Sequence, residues 1–190
     1  MEINNGGYMG SVKKTIEKRR AFRSLDPLKV ETKTIKDLAY SAILAPSCFN
    51  KQPEKFIFVK TKKNLQKVFS ALPDGNKWVT KASLIAIVHT KKEDDCVIKD
   101  REYYLFDTGM AVGFLILRAT EMGIVAHPIA GYDPEKIKEE FSLPKDEIII
   151  ALIIFGKHSK KANSLLSDWQ KEQEIKRPKR KTFKEFAKIV

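Results

Sequence analysis

The feature that most constrains the fold is the apolar run at residues 148–155, Ile-Ile-Ile-Ala-Leu-Ile-Ile-Phe. The run has the length of a β-strand and is far shorter than the ~20 apolar residues that span a bilayer, so a membrane span is excluded. A strand that is apolar at every position has both of its faces covered. We therefore predict a sheet with packed layers on both sides.

The other periodicities predict two more strands and several flanking helices. β-Branched and aromatic runs at residues 56–59 and 84–88 predict buried strands. Apolar residues spaced three and four apart predict helices at residues 11–22, from Thr34 to Pro46, at 65–72 and at 101–122, and Asp133-Pro134 begins another. The length fits a single domain, residues 1–190. Residues 157–190 form a basic tail too polar to bury itself, so it either frays or wraps another subunit.

The predicted helix at residues 101–122 is the most apolar long segment. Phe106, Met110 and Phe114 begin one helical repeat, which Leu117 and Met122 continue, and this predicts a buried helix. Gly109 and Gly113 lie within it, although glycine costs about 1 kcal/mol in a helix interior relative to alanine. Two interpretations stay open: a tight helix crossing within one subunit, or a dimer interface.

Composition indicates a compact protein without metal or disulfide bonds. Hydrophobic residues make up 43% and charged residues 32% of the chain. Cys48 and Cys96 lack the spacing of a metal or redox pair and are interpreted as free thiols, and the three scattered histidines imply no metal site. Residues 1–10 are polar and lack the apolar stretch of a secretory signal, so we expect a cytoplasmic location.

The formal charge of +12 raises the alternative of a basic nucleic-acid-binding protein without catalysis, because basic proteins attract polyanions regardless of fold. The lysines are spread along the chain, however, and the one dense cluster lies at residues 176–181. We find no interleaved basic and aromatic stripe and no zinc or helix-turn-helix signature. The sequence therefore argues mildly against nucleic acid as a partner.

Three segments carry groups suited to binding a phosphate or a flat heteroaromatic ring. Arg19-Arg20-Ala21-Phe22-Arg23 supplies guanidinium groups, which match phosphate oxygens bidentately. The loop at residues 45–53, Ala-Pro-Ser-Cys-Phe-Asn-Lys-Gln-Pro, supplies hydroxyl and amide groups between two prolines. The loop at residues 127–134, His-Pro-Ile-Ala-Gly-Tyr-Asp-Pro, has small residues that leave backbone N–H groups accessible. Each segment alone is also compatible with an ordinary charged turn or loop.

Taken in order and spacing, these segments resemble the FMN-dependent nitroreductase family. The resemblance runs from about Arg19 to Gly156 and rests on the Arg-Arg-x-x-Arg start, the Pro-Ser-x-x-Asn-x-Gln-Pro loop and the Pro-x-x-Gly-Tyr-Asp loop. Asp107-Thr108-Gly109-Met110-Ala111 and the turn Gly75-Asn76-Lys77-Trp78 add to it. The resemblance implies an α+β fold with a mostly antiparallel central sheet flanked by helices, in an intertwined homodimer.

The resemblance also implies roles for individual residues. The arginines would hold the FMN phosphate and the pyrimidine edge of the flavin, the 46–50 loop would come from the second subunit, and the 128–131 loop would face flavin N5. Ala21 and Cys48 stand where the family commonly has serine. The implied FMN-binding residues are Arg19, Arg20, Ala21, Arg23, Pro46, Ser47, Cys48, Asn50, Asn76, Pro128, Ala130, Gly131, Arg180 and Lys181.

The implied activity is that of an FMN-dependent oxidoreductase with no catalytic acid or base from the protein. It would take a hydride from NADH or NADPH on flavin N5 and reduce a small organic acceptor, such as a nitroaromatic, a quinone or a flavin, by a ping-pong mechanism. A ferredoxin-like donor in place of nicotinamide stays open. A nearer alternative keeps FMN but changes the reaction, as in flavin-fragmenting or reductive dehalogenating relatives.

Overall fold

The structure, a computed structural model, describes residues 11–190. The strands are β1 Leu25–Asp26, β2 Lys55–Val59, β3 Leu84–Thr90, β4 Val97–Ile98, β5 Arg101–Glu102, β6 Val125–Ile129 and β7 Ile148–His158. The helices are α1 Ser11–Lys18, α2 Thr32–Ile43, α3 Lys62–Phe69, α4 Tyr104–Glu121, α5 Pro134–Glu140, α6 Asp168–Ile175 and α7 Phe183–Phe186. Short 3-10 turns occupy Cys48–Asn50, Asp74–Lys81 and Lys92–Asp94.

The central sheet has the order β1-β7-β3-β2, with β6 also paired to β7, and every pairing among the described strands is antiparallel. Strand β3 is buried along its whole length because its residues alternate between two cores. Ile85 and Ile87 join one core, and Leu84 and Val88 join the other. The α+β class and the sheet covered on both faces are confirmed.

Helix α4 shows one correction to the sequence prediction. Its buried stripe includes Ala111, Leu115 and Ala119, which face α2 and the sheet. The prediction that Phe106 and Phe114 are buried was wrong: Phe106 is 62% exposed and Phe114 is 43% exposed. A helix that is apolar around most of its circumference packs only one side of that surface on its own sheet. In α4, a second apolar face, which carries Phe106 and Phe114, stays exposed on the single chain.

The two glycines of α4 decide between the interpretations left open for this helix. A Cβ atom built on Gly109 or on Gly113 meets no atom within 4 Å among the described residues. A tight helix crossing at these glycines within one subunit is therefore wrong. The glycines lie instead on a helix whose outer face carries exposed Phe106 and Phe114.

The first helix is shorter than predicted. It ends at Lys18 rather than near Phe22, although the Arg19 N–H still donates to the Thr15 carbonyl at 3.0 Å. The backbone N–H groups of Arg23 and Ser24 donate to the carboxylate of Glu174 and are not available to a helix. The arginines consequently lie on a non-helical segment that the tail holds.

The start of the tail packs against the rest of the same chain. Strand β7 continues beyond Gly156 to His158, and Leu166 is buried. The Asn163 N–H donates to Ser24 Oγ at 3.0 Å. The expectation that the tail is too polar to be buried is therefore wrong for these residues, since distant segments of the same chain supply their packing and hydrogen-bond partners.

Residues 1–10 of the expected single domain lie outside the described residues. Within 11–190, no helix combines the length and apolarity needed to cross a membrane.

Candidate functional site

A basic cleft lies between the arginine segment and the tail. It brings together residues from both ends of the chain, because β1 pairs with the end of β7 and thereby places residues 19–24 beside the segment that follows β7. The residues that line the cleft are Arg19, Arg20, Ala21, Arg23, Gln173, Arg177, Pro178 and Arg180. Lys181, the other predicted tail residue, is exposed next to Arg180.

Hydrogen bonds to backbone carbonyls fix the arginines of this cleft. Arg20 Nη2 donates to the carbonyl oxygens of Gln173 at 2.8 Å and Glu174 at 3.2 Å. Arg177 Nη2 donates to the carbonyl oxygen of Arg19 at 2.7 Å and also to that of Glu17. Because a guanidinium carries five N–H donors, both side chains keep donors for a bound anion.

The concentrated positive charge is visible in the pKa of Arg19. Burial lowers this pKa, and the neighbouring charges of Arg177, Arg180 and Arg20 lower it further. A bound anion would relieve the repulsion among these like charges. The cleft therefore has the chemistry of a phosphate site, because two segments of the chain contribute guanidinium groups to it.

Arg23 lies between two indole rings. Its guanidinium carbon is 5.6 Å from the ring centroid of Trp169 and 6.0 Å from that of Trp78, within the range of cation–π attraction. Burial lowers the pKa of Arg23, and the charge of Glu174 opposes this effect. An arginine stays protonated despite such a shift. The result is a positioned, half-buried cation at the edge of the cleft.

His127 on β6 lies beside the same arginine. Its ring centroid is 4.8 Å from that of Trp78, and its Nδ1 atom is 3.1 Å from the carbonyl oxygen of Phe22. A carbonyl only accepts, so the proton is assigned to Nδ1. Burial lowers the pKa of His127 to about 4, which leaves the imidazole neutral at neutral pH.

The turn that contains Asn76 and the loop that contains Gly131 meet at this end of the sheet. Asn76 Nδ2 donates to the Gly131 carbonyl at 2.7 Å, and Asn76 Oδ1 accepts from Trp78 Nε1 at 3.2 Å. A Cβ atom on Gly131 would lie only 2.7 Å from Asn76 Nδ2. The two predicted residues therefore contact each other, and glycine is required for this approach. Pro128 and Ala130 are exposed on either side of buried Ile129.

The Pro46–Asn50 loop lies over helix α4. The Cys48 N–H donates to Asp107 Oδ2 at 2.6 Å, and the Gln52 N–H donates to Ser47 Oγ at 3.0 Å. Phe49 and Asn50 have φ angles of 48° and 56°, a region that costs energy for residues other than glycine. The strained backbone turns Phe49 outward, where it is 83% exposed.

This loop forms one wall of a second concavity. Its lining is mostly aromatic and apolar and comes from the loop, the β4–β5 ribbon and α4. The lining residues are Pro46, Ser47, Cys48, Phe49, Ile98, Tyr103, Phe106, Asp107 and Met110. It shares no lining residue with the basic cleft, so the two concavities are separate on a single chain.

The cleft-lining residues Gln173, Arg177 and Pro178 were absent from the predicted site. Also absent were three residues that contact the arginine segment beside the cleft: His127, Trp169 and Glu174. Trp169 and Glu174 lie on helix α6, which the sequence analysis did not predict. One signal was available, because Ser167 and Gln170 form the Ser-x-x-Gln capping box that begins this helix. The roles of His127 and Glu174 depend on contacts between distant segments, for which the sequence carries no local signal.

Comparisons with known proteins show similarity to one family. The nitroreductase family model matches residues 72–157. YdgI of Bacillus subtilis (strain 168), named provisionally as an NAD(P)H nitroreductase, is 26% identical over an alignment of 176 residues; the match covers 73% of this chain and 84% of that protein. The chain is therefore similar to proteins of the nitroreductase family.

Solved structures show the same fold. A nitroreductase family protein from Clostridium difficile 630 has a TM-score of 0.72 at 25% identity and covers 90% of this chain and 94% of its own. A protein from Exiguobacterium sibiricum 255-15, described provisionally as a nitroreductase and crystallised with FMN, has a TM-score of 0.79 at 18% identity. That alignment covers 95% of this chain and 98% of the other.

Proposed function

We propose that this protein is a cytoplasmic FMN-dependent oxidoreductase that takes reducing equivalents from NADH or NADPH and passes them to a small organic acceptor. The observation that carries the proposal is the convergence of Arg19, Arg20, Arg177 and Arg180 on one cleft. Guanidinium forks at this density match a phosphate monoester. Similarity to the nitroreductase family and the FMN in the Exiguobacterium sibiricum complex support flavin mononucleotide as the bearer of that phosphate.

The chain's own residues fit the phosphate and the edge of a flat ring. Arg19 and Arg180 would hold the phosphate, while Arg20 and Arg177, anchored to carbonyls, keep the cleft in shape. Arg23 would lie at the pyrimidine edge, where a fixed cation stabilises negative charge on the reduced ring system. His127 is neutral at neutral pH, so the cation at this edge is Arg23 rather than the imidazole.

The redox chemistry is that of the cofactor: when bound, FMN accepts a hydride at N5 and delivers electrons to the acceptor. The Pro128–Gly131 loop would present backbone N–H groups toward that edge, and the contact between Asn76 and Gly131 fixes the loop. No catalytic acid or base from the protein is required. The aromatic lining of the second concavity, including Phe49 and Tyr103, favours flat acceptors such as quinones, nitroaromatics or flavins.

The active assembly is proposed to be a homodimer, because each chain presents two concavities that share no lining residue. The outer face of α4 is apolar and lies beside a groove lined by Val12, Leu44, Phe114 and Leu117. Burial of such a face against a second copy would bring the Pro46–Asn50 loop of one protomer to the basic cleft of its partner. Beyond α6, residues 178–190 expose Phe183 and Phe186 and are proposed to wrap the partner.

The test is the visible spectrum of the purified protein, before and after addition of FMN, combined with equilibrium dialysis. We expect a yellow protein that takes up about one flavin per chain, and an Arg19→Ala variant with at least about tenfold weaker binding, since a charge-assisted hydrogen bond contributes roughly 1.5–3 kcal/mol. The matched control is Arg101→Ala, because Arg101 is exposed on the β4–β5 ribbon. A protein that takes up no FMN but binds duplex oligonucleotide tightly at moderate salt would support the nucleic-acid alternative.

A further inference from the structure

The carboxylate of Glu174 joins the tail to the arginine segment. Its Oε1 atom accepts from the Arg23 N–H at 2.8 Å, and its Oε2 atom accepts from the Ser24 N–H at 3.0 Å. A carboxylate bound to two backbone N–H groups makes charge-assisted bonds, which are stronger than bonds between neutral groups. These bonds set the path of the backbone from which Arg23 projects.

Helix α6 holds the surroundings of the cleft through other residues as well. Gln170 Nε2 donates to the Gly75 carbonyl at 3.0 Å, so the helix also contacts the turn that contains Asn76. At the far end of α6, the carbonyl oxygens of Gln173 and Glu174 accept from Arg20. One short helix therefore contacts both the arginine segment and the turn that contains Asn76.

The convergence of charges at the cleft needs a negative counterpart. Arg19, Arg20, Arg177 and Arg180 repel one another; burial is the main cause of the lowered pKa of Arg19, and the neighbouring charges lower it further. The segment that carries Arg177 and Arg180 follows α6 directly, so docking of α6 brings this segment close to the cleft, where Arg177 also donates to the Arg19 carbonyl. Glu174 supplies both the docking bonds and a negative charge close to Arg23.

We propose that Glu174 is a positioning residue for the phosphate-binding cleft, an inference that rests on the proposed function. It acts through the backbone of Arg23 and Ser24 and does not contact the phosphate. Its carboxylate keeps α6 docked, so that arginines from residues 19–23 and from residues 177–180 face the same oxygens. Binding of a phosphate and docking of the tail are therefore coupled, and each stabilises the other.

An opposite role can be distinguished from this one. If the Glu174 carboxylate occupied N–H groups that a phosphate oxygen takes over, it would compete with the cofactor. Removal of its charge would then tighten FMN binding. If Glu174 is a positioning residue, removal of its charge weakens FMN binding, and the loss is largest for ligands that carry a phosphate.

The experiment compares Glu174→Gln with Glu172→Gln, an equal loss of charge at an exposed position on the same helix. Dissociation constants are measured for FMN and for riboflavin, which lacks the phosphate. We expect Glu174→Gln to weaken FMN binding about tenfold or more and riboflavin binding clearly less, because riboflavin keeps the ring edge near Arg23 but lacks the phosphate, whereas Glu172→Gln binds both as the wild type does. Unchanged or tighter FMN binding in Glu174→Gln, or an equal loss for both flavins, would overturn the proposal.

Hydrogen exchange of the flavin-free protein tests the docking independently. We expect faster exchange at the amides of Arg23 and Ser24 and over α6 in Glu174→Gln, but not in Glu172→Gln. If the wild type binds no FMN, the proposed function fails while the exchange result still decides whether Glu174 docks the tail. If Glu174→Gln does not fold, Glu174→Asp, with a shorter carboxylate, is expected to lose more FMN affinity than riboflavin affinity; an equal loss for both flavins, or no loss, would overturn the proposal.

Discussion

The imidazole of His127 is hydrogen-bonded to the backbone of Phe22, 105 residues earlier in the chain, at 3.1 Å. This contact joins β6 to the arginine segment, where the imidazole is buried. Burial is the main reason that the pKa of His127 falls from 6.5 to about 4; the bond to Phe22 opposes the shift, and Arg23 adds to it. The histidine therefore links the stability of this region to pH.

Between about pH 6.5 and about pH 4, the unfolded chain binds a proton at His127 and the folded chain does not. The contribution to stability is fully present above pH 6.5 and is lost as the pH falls toward 4, at up to about 1.4 kcal/mol per pH unit. Urea unfolding across this range should show a flatter pH dependence in His127→Gln than in the wild type. Equal slopes in the two proteins would contradict the assignment.

The approach of Asn76 to Gly131 predicts a coupled pair of substitutions. Gly131→Ala places a Cβ atom 2.7 Å from Asn76 Nδ2, which must move and lose its bond to the Gly131 carbonyl. We expect a loss of about 1 kcal/mol in the free energy of unfolding. In an Asn76→Ala background the same change should cost less, because nothing remains to be displaced. Urea unfolding of the four proteins gives the coupling, and strictly additive losses would show that the two residues do not interact.

The thiol of Cys96 is expected to react slowly. Its Sγ atom donates to the Cys48 carbonyl at 3.4 Å, and its pKa is raised to about 11, first by a hydrogen bond with the Cys48 side chain and then by burial. Because the thiolate is the nucleophile, alkylation of Cys96 by iodoacetamide should reach half its limiting rate near pH 11 in the folded protein. Unfolding in urea should lower that midpoint toward 9, and Cys48→Ala should lower it partly. Peptide mass spectrometry measures the rates, and identical profiles before and after unfolding would exclude the shift.

The apolar face of α4 predicts how the protein assembles. Phe114→Asp places a charge on this face and should convert a dimer into a monomer, because an unpaired carboxylate is costly to bury in an apolar interface. Leu165→Asp, at a similarly exposed leucine outside the face, should leave the dimer intact. Light scattering gives both masses. A wild-type monomer with tightly bound FMN would contradict the shared site.

Three strands of the central sheet could be predicted from sequence because their signal is local, whereas β1 and β6 were not predicted, and residues 127–129 of the expected loop lie on β6. The apolar run of β7 and the β-branched residues of β2 and β3 have few other ways to satisfy both burial and backbone hydrogen bonding. The start of α5 was also predictable, since Asp133 accepts from the Lys136 N–H as an N-cap residue. In each case neighbouring residues carry the information.

The errors arose where distant contacts decide the structure. The segment after α1 is held by distant residues: Arg177 binds the carbonyl oxygen of Arg19, and Glu174 binds the N–H groups of Arg23 and Ser24. The periodicity of α4 identified its apolar residues, but it could not decide which of two apolar faces packs on the sheet. The motif segments identified the arginines and the Pro46–Asn50 loop, while their separation into two concavities is a property of the folded chain alone.

The central claim is that this chain mediates electron transfer from a reduced nicotinamide through bound FMN. The most direct test is anaerobic mixing of the FMN-loaded protein with NADH or NADPH while the visible absorbance of the oxidised flavin is followed. We predict that the absorbance is lost with at least one of the two nucleotides and returns when a quinone or a nitroaromatic is added. A bound flavin that stays oxidised with both nucleotides would contradict the claim.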